Sequence, residues 1–486
     1  MAVQTKQLKQ VSFLGITRDK VTSPLNTTLT AAAVAGATTI TVAAITNAAV
    51  GDTIRVGSGE DVELCQIHTS TAPSGVTITL NEPLKKAHAN AEPVFEQTLY
   101  DLGDVAEEGV EYSFNGEATR IQVATKRLTY AILTGYVDAA MKLTLPNLGL
   151  HGFATALQIP FTRITTNGSV VAVTSIVEDG NNFGNEVNQS IVCISVLEDG
   201  TILRAELWGV DFDYTGISIN LARGQKTGVA LRAVASGGGC LVNASTFVID
   251  TSVRPTKGKV FDAITEVGYF GTPGTPTTSA VAIAAADTNT INLTSVAGMV
   301  AGDWVKYGSG ENAEYHQIDS IAALVLTNRT RFLRAQPIGT VVVEMAAIPF
   351  AGVSVAGATF ATGGTVTSKR IATRRQSIGL RRGNVTTKLS FAITSMNLTD
   401  FQQSLGLPAG ALSAGRLTIT DQIGTTPIDG VYAKGTWLDG TTFWVICGGC
   451  SMDLASWLVN FTNAGDPPTM PFSFEPSSHF SLLNHA

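Results

Sequence analysis

Short apolar or β-branched runs alternate with clusters of Gly, Asn, Asp and Pro along most of the chain. That pattern predicts strands joined by tight turns. Asp179-Gly180, Asp199-Gly200, Asp429-Gly430 and Asp439-Gly440 stand between such runs, and each favours positive φ in a hairpin turn. SIVCISVLEDGTILRAELWGV (190–210) reads as two strands around one turn, with VYAKGTWLDGTTFWVICGG (431–449) as its counterpart. Helix patterning is confined to two stretches. NLGLHGFATALQIP (147–160) is capped by Asn147 and stopped before Pro160, and MNLTDFQQSLGLP (396–408) ends at Gly406 and Pro408. Each follows a strand-like run, MKLTL (141–145) or KLSFAI (388–393).

The pattern occurs twice. ITVAAITNAAVGDTIRVGSGEDVELCQI (40–67) matches INLTSVAGMVAGDWVKYGSGENAEYHQI (291–318) at a constant offset of 251. Gly51-Asp52 meets Gly302-Asp303, Gly57-Ser58-Gly59-Glu60 meets Gly308-Ser309-Gly310-Glu311, and Gln66-Ile67 meets Gln317-Ile318. The strand, helix and Pro-stop series recurs at an offset of 248, from Pro160 to Pro408. In a chain of 486 residues this is a tandem duplication of a unit about half its length.

Each unit is composite. An Ala/Thr/Val-rich module follows a short strand, QVSFLGI (10–16) or EVGYFGT (266–272), and a different domain then resumes. The expected division is a first β domain at 1–24 plus 97–250 with an inserted β module at 25–96. A second β domain at 251–274 plus 346–486 carries its module at 275–345. DTSVRPTKGK (250–259) reads as the linker. After each module comes a long hairpin pattern of mixed polarity, 118–145 and 366–393. Such strands suit a sheet that continues into neighbouring subunits.

Composition narrows the function classes. Charged residues make up only 15% of the chain and the net charge is −7, which disfavours a nucleic-acid grip needing a basic footprint. The five cysteines, Cys65, Cys193, Cys240, Cys447 and Cys450, are too few and uneven for a disulfide framework, and a reducing site of synthesis is expected. MAVQTKQLKQVSFLG has no apolar h-region and no membrane-length apolar run follows, so neither signal peptide nor membrane span is expected.

Candidate chemistry is sparse. The GSGE stretches lack the GxxxxGK[ST] pattern and read as glycine-rich hairpin turns. Cys447-Gly448-Gly449-Cys450 has no second ligand pair for zinc, and reads as two small residues at a strand end. The six histidines form no HxH or HExxH cluster, and no GxSxG elbow is present. No enzyme, catalytic residue, cofactor or metal is expected. One charge cluster stands out: Lys369, Arg370, Arg374, Arg375, Arg381 and Arg382, of which the first copy keeps only Arg120, Lys126 and Arg127. The asymmetry favours intersubunit or lumen contacts over a symmetric phosphate grip.

The order strand, long hairpin, short helix, hairpin in both halves resembles the major tail tube proteins of long-tailed bacteriophages. The Thr/Ala/Val/Gly-rich, cysteine-poor composition adds to that resemblance, and TTITVAAITNAAVGDTIRVG (38–57) looks like small β domains of phage structural proteins. The resemblance implies a mainly β chain. Two tandem tail-tube-like β-sandwich or barrel domains would each have a short flanking helix and a small inserted β module. It implies a structural subunit of the virion tail, self-assembling as trimers into pseudo-hexameric rings. Stacked rings would conduct phage DNA without sequence-specific binding. Its partners would be copies of itself and other tail proteins, with no membrane contact. The alternatives are another virion part (a baseplate or tail-terminator ring, a sheath subunit or a capsid decoration protein) or a surface module binding glycans or receptors.

Overall fold

The computed structural model describes residues 8–20, 22–101, 110–115, 130–133, 138–145, 164–166, 173–178, 189–197, 202–213, 218–221, 229–243, 261–282, 288–350, 353–370, 377–393, 397–405, 407–414, 416–417, 428–452 and 470–485. Over these residues the fold is mainly β, in antiparallel sheets, as the apolar-polar patterning predicts. The expected helix at 147–160, the linker 250–259 and the Asp179-Gly180 and Asp199-Gly200 turns lie outside the described residues.

The first half contributes β1 (Leu8–Asp19), β2 (Thr53–Val56), β3 (Glu63–Gln66), β4 (Pro93–Asp101), β5 (Val110–Asn115), β6 (Asp138–Leu145), β7 (Ser190–Leu197), β8 (Ile202–Asp213) and β9 (Val229–Asn243). The second contributes β10 (Phe261–Pro273), β11 (Trp304–Tyr307), β12 (Glu314–Ala322), β13 (Val341–Pro349), β14 (Val353–Arg370), β15 (Ser377–Ile393), β16 (Ile428–Trp437), β17 (Thr442–Met452) and β18 (Met470–His485). The first sheet runs β3-β2-β4-β1-β7-β8-β9-β6-β5, and the second runs β12-β11-β13-β10-β16-β17-β18-β15-β14. Over these nine strands the two orders are identical, and the second sheet continues past them with Val325–Asn328 and Thr290–Asn292 at one end and Ser218–Leu221 at the other. The duplication read from a few turn residues therefore extends to the body of both sheets.

The modules are continuous with these sheets. β4 pairs with β2 of its module and with β1 of the body, and β13 does the same with β11 and β10. Each module has its own apolar core, and the cores match at the sequence offset. Ile40, Val42, Ile54, Val56 and Ile67 fill the places that Ile291, Leu293, Val305, Tyr307 and Ile318 fill in the second copy.

The hairpins partly depart from expectation. Asp439-Gly440 does turn β16 into β17, with Gly440 at φ +82 and the Asp439 carboxylate accepting from Thr441 N at 3.0 Å. Asp429-Gly430 instead lies inside β16, paired to β17. Gly430 is needed there for close approach, since a Cβ would come within 2.9 Å of the Phe270 ring. The Cys447–Cys450 stretch also lies within β17, not at its end, and both thiols are free and buried.

The helix α1 (Leu398–Ser404) forms where the sequence places it, with the Asn397 side chain accepting from Asp400 N at 2.8 Å as an N-cap. Of the two long hairpins, 366–393 is one, closed by β14 and β15. In the first half β5 and β6 pair, but Tyr130–Leu133 pairs with β9 instead. No helix among the described residues is long and apolar enough to cross a membrane.

Candidate functional site

The repeated Gly-Asp and Gln-Ile residues build one turn, twice. Asp52 accepts from Ala49 N at 2.6 Å and Asp303 from Val300 N at 2.7 Å. Gln66 Nε2 donates to Gly51 O at 3.1 Å, and Gln317 Nε2 to Gly302 O at 3.0 Å. Both glycines hold positive φ, +82 and +98, a conformation that costs a side-chain-bearing residue energy. These residues therefore recur because each closes a turn. The GSGE stretches are turns as expected, each passing through a single 3-10 turn at Gly59–Asp61 or Gly310–Asn312.

Each module is locked by one buried carboxylate at the same position. Glu63 is fully buried and accepts from Lys85 N at 2.9 Å and Lys86 N at 3.2 Å. Its counterpart Glu314 accepts from Leu333 N at 2.7 Å, Arg334 N at 2.9 Å and Gln336 Nε2 at 3.1 Å. A histidine completes each lock from a different sequence position. His88 Nε2 meets Glu63 at 2.8 Å and its Nδ1 meets Glu92 at 2.6 Å. An imidazole satisfies two carboxylates only with an N–H on each nitrogen, as the imidazolium. Burial opposes that charge, but the two carboxylates outweigh it and raise the His88 pKa. In the second module His316 Nε2 meets Glu314 at 3.2 Å, and its Nδ1 meets the Thr330 hydroxyl. Burial alone would raise the Glu314 pKa, yet the bonds from His316 and Leu333 N hold it below the usual carboxylate range.

The same β3 strand and its entry turn dock the module on the body. Val62 and Leu64 enter the body core with Phe13, Val192 and Trp208, while Cys65 and Ile67 face the module core. Alternation along one strand thus serves two cores. Ala313 and Tyr315 repeat the arrangement in the second half, packing with Phe270, Tyr432 and Trp444.

Beneath the joint each body sheet carries the same bulge. Pairing shifts register between Trp208 and Val210 in β8, and between Gly448 and Cys450 in β17. Gly209 and Gly449 sit in these bulges at φ +60 and +56. Ser236 Oγ on β9 donates to Gly209 O at 2.8 Å, and Ser477 Oγ on β18 donates to Gly449 O. Ser236 Oγ also reaches Gly59 O of the module at 3.3 Å.

The two joints differ in chemistry. The first is ionic. Arg204 bridges Glu82 of the module and Glu206 of β8, the latter at 2.6 Å, while Lys85 lies 3.4 Å from Glu82. Glu206 also accepts from Trp208 Nε1 at 2.7 Å. Lys86, which burial pulls down to about 8, donates to Glu60 O at 2.7 Å. The second joint is mainly aromatic, with one ion pair between Lys306 of the module and Asp429 of β16: Phe270 lies 5.1 Å from Trp304 and 5.6 Å from Tyr315, and Trp444 lies 5.3 Å from both Trp304 and Tyr432. His479 belongs to this joint, stacked on His316 at 6.3 Å and accepting from Tyr315 N at 3.4 Å. Burial pushes it down to about 4.

The first half also lends strands to the sheet of the second. Ser218–Leu221, from the β8–β9 connection of the first half, pairs antiparallel with the outer edge of β14 in the second sheet. Val173–Glu178 of the first half pairs with β18. The sequence gives no sign of either contact, because periodicity marks a strand and not its partner.

Of the basic cluster, Lys369 and Arg370 end β14 while Arg381 and Arg382 lie near the start of β15. Their backbones meet at one end of a single hairpin, with Arg381 opposite Thr367 and Arg370 opposite Ser377. Arg374, Arg375, Arg120, Lys126 and Arg127 lie outside the described residues. Among the described residues no group of three or more His, Cys, Asp or Glu side chains is placed to hold a metal. No protein-family model matches the chain, and no curated protein matches it in sequence.

Proposed function

We propose that this chain is a self-assembling structural subunit of a bacteriophage tail, a duplicated tail tube protein whose trimers form pseudo-hexameric rings. The observation that carries the reading is the strand contributed by one half to the sheet edge of the other, between halves of identical strand order. A duplicated unit that joins its copy edge to edge inside one chain is a unit suited to joining copies in other chains. Closed rotational symmetry then removes the exposed sheet edges that would otherwise aggregate. The net charge of −7 fits a lumen that lets DNA phosphates slide.

Negative-stain imaging of the purified chain tests this. The expected result is rings or hollow tubes with threefold symmetry and six similar lobes per ring. A particle of any other symmetry, or one that never assembles and is never found in tails, overturns it. A ring in low copy number at the tail end would instead favour the baseplate or terminator alternative.

A further inference from the structure

Superposed through their bulges, the two joints differ sharply at one place. Gly238 lies opposite Trp208 in the first sheet, and His479 lies opposite Gly448 in the second. With Gly209 set on Gly449, Trp208 corresponds to Gly448, and Gly237-Gly238 corresponds to Ser478-His479. Lys86 and Arg334 also correspond, since each donates its main-chain N–H to the buried carboxylate of its module, at 3.2 and 2.9 Å. In the first half the buried Trp208 indole fills the joint, with the Lys86 ammonium 5.5 Å from its ring centre. In the second half Ser478 and His479 stand over Gly448 instead, where an added Cβ would come within 2.8 Å of Ser478 Oγ. Beside them lies a cavity of about 80 Å³, walled by Arg334, Thr387, Ser477, Ser478 and His479. That is several times the roughly 10–15 Å³ needed to hold one water.

The wall gathers hydrogen-bond donors around one positive charge. Arg334 reaches from the module to the body, its Nη2 donating to Ser478 O at 3.0 Å. Burial holds the His479 imidazole neutral at neutral pH, with its pKa down to about 4, and its Nε2 accepts from Tyr315 N at 3.4 Å. Nδ1 therefore carries the ring proton and donates to Ser478 Oγ at 3.2 Å. The Ser478 hydroxyl hydrogen is left to serve a further acceptor. Thr387 of β15, buried like Ser478, adds a second hydroxyl. No carboxylate occurs among the described residues of the wall.

We propose that this cavity binds a tetrahedral oxyanion, phosphate or sulfate, held by the Arg334 guanidinium and the hydroxyls of Ser478 and Thr387. A guanidinium presents paired N–H groups that match two oxygens of such an ion. The ion would join Arg334 of the module to β15 and β18 of the body, fastening the second joint where the indole fills the first. The inference stands apart from the self-assembly reading.

Hydrogen exchange on the dilute full chain tests it, with phosphate or sulfate replacing chloride at constant ionic strength. The Arg334 and His479 amides should slow saturably, by about tenfold when the anion stands at ten times its dissociation constant. Thr387→Val and Ser478→Gly, the latter restoring the first-half residue, should each weaken binding at least about tenfold, the loss of one hydrogen bond to a charged group. Arg334→Lys keeps the charge without the fork and should weaken binding likewise, should either of the others lose the wild-type circular dichroism. Protection that never saturates, or that chloride gives equally, overturns the inference. Wild-type affinity in the folded variants also overturns it.

Discussion

Replacing Glu63 by Leu should open the first module locally while leaving its apolar core composition intact. The Glu63 carboxylate is fully buried and takes N–H groups from Lys85 at 2.9 Å, Lys86 at 3.2 Å and His88 at 2.8 Å. Leucine has similar bulk and no acceptor, so three donors lose their partner, those of Lys85 and His88 fully buried and that of Lys86 partly so. At roughly 1–3 kcal/mol for each orphaned buried donor, the local cost is about 3 kcal/mol or more. A cost of that size speeds exchange of the protected amides by about 100-fold. Exchange of the Lys85 and Lys86 amides is the right assay, because a composite chain of this size need not unfold in one step. Glu314→Leu should do to the Leu333 and Arg334 amides what Glu63→Leu does in the first module. Wild-type exchange of the Lys85 and Lys86 amides in Glu63→Leu would refute the claim that the buried carboxylate holds the turn.

The two halves should also respond to pH in opposite senses. The folded pKa of His88 is raised, so its contribution is present at acid pH and is lost as pH rises through the folded value. In urea titrations followed across pH, the stability gap between wild type and His88→Gln should therefore shrink with rising pH. A gap that widens contradicts the imidazolium clamp. His479 is pushed down to about 4. Its unfolded form takes up a proton first, so stability falls as pH drops from about 6.5 towards 4, and His479→Asn should remove that slope. Gly268→Ala should disrupt the pairing of β10, because a Cβ would sit 2.2 Å from Ile348 O and 2.6 Å from the Tyr432 hydroxyl. Retention of the wild-type melting temperature by this variant would show that the contact is easily relieved.

The mainly β class, the repeat and the helix at Leu398–Ser404 were all legible in sequence, since each depends on neighbours within a few residues. Asp429-Gly430 misleads because a DG pair signals a turn only when its glycine adopts positive φ. Here the Asp429 carboxylate is instead held by Tyr315 Oη at 3.1 Å, across 114 residues. The Glu82–Arg204 bridge spans 122 residues, and no local pattern announces it. The duplicated bulge escaped notice for another reason. Between β8 and β17 the offset has drifted from 251 to 240, and only Gly209 and Gly449 persist as identical letters in the bulge. The basic cluster was visible as charge, but its meeting point at one hairpin end follows from register alone.

The contrast between the joints bears on why two units share one chain. The turn, the buried carboxylate, the bulge and its serine are common to both halves, so they maintain the shared fold. The joints have diverged: Arg204 among Glu82 and Glu206 in one, Phe270 among Trp304, Tyr315 and Tyr432 in the other. Such joints are poorly interchangeable. Arg204 moved among the aromatic rings of the second joint would lose both Glu82 and Glu206, a loss worth several kcal/mol. In a ring of identical single units every interface is the same. Fusion into one chain allows two kinds of half to alternate strictly, because the covalent link fixes which half follows which. The extra strands Ile164–Thr166 and Val173–Glu178 fit that logic. They occupy a first-half connection that is shorter in the second half, and Val173–Glu178 carries the pairing of β18 from one half to the other. Within an assembled ring, dilution should therefore separate chain from chain before the halves of any one chain part.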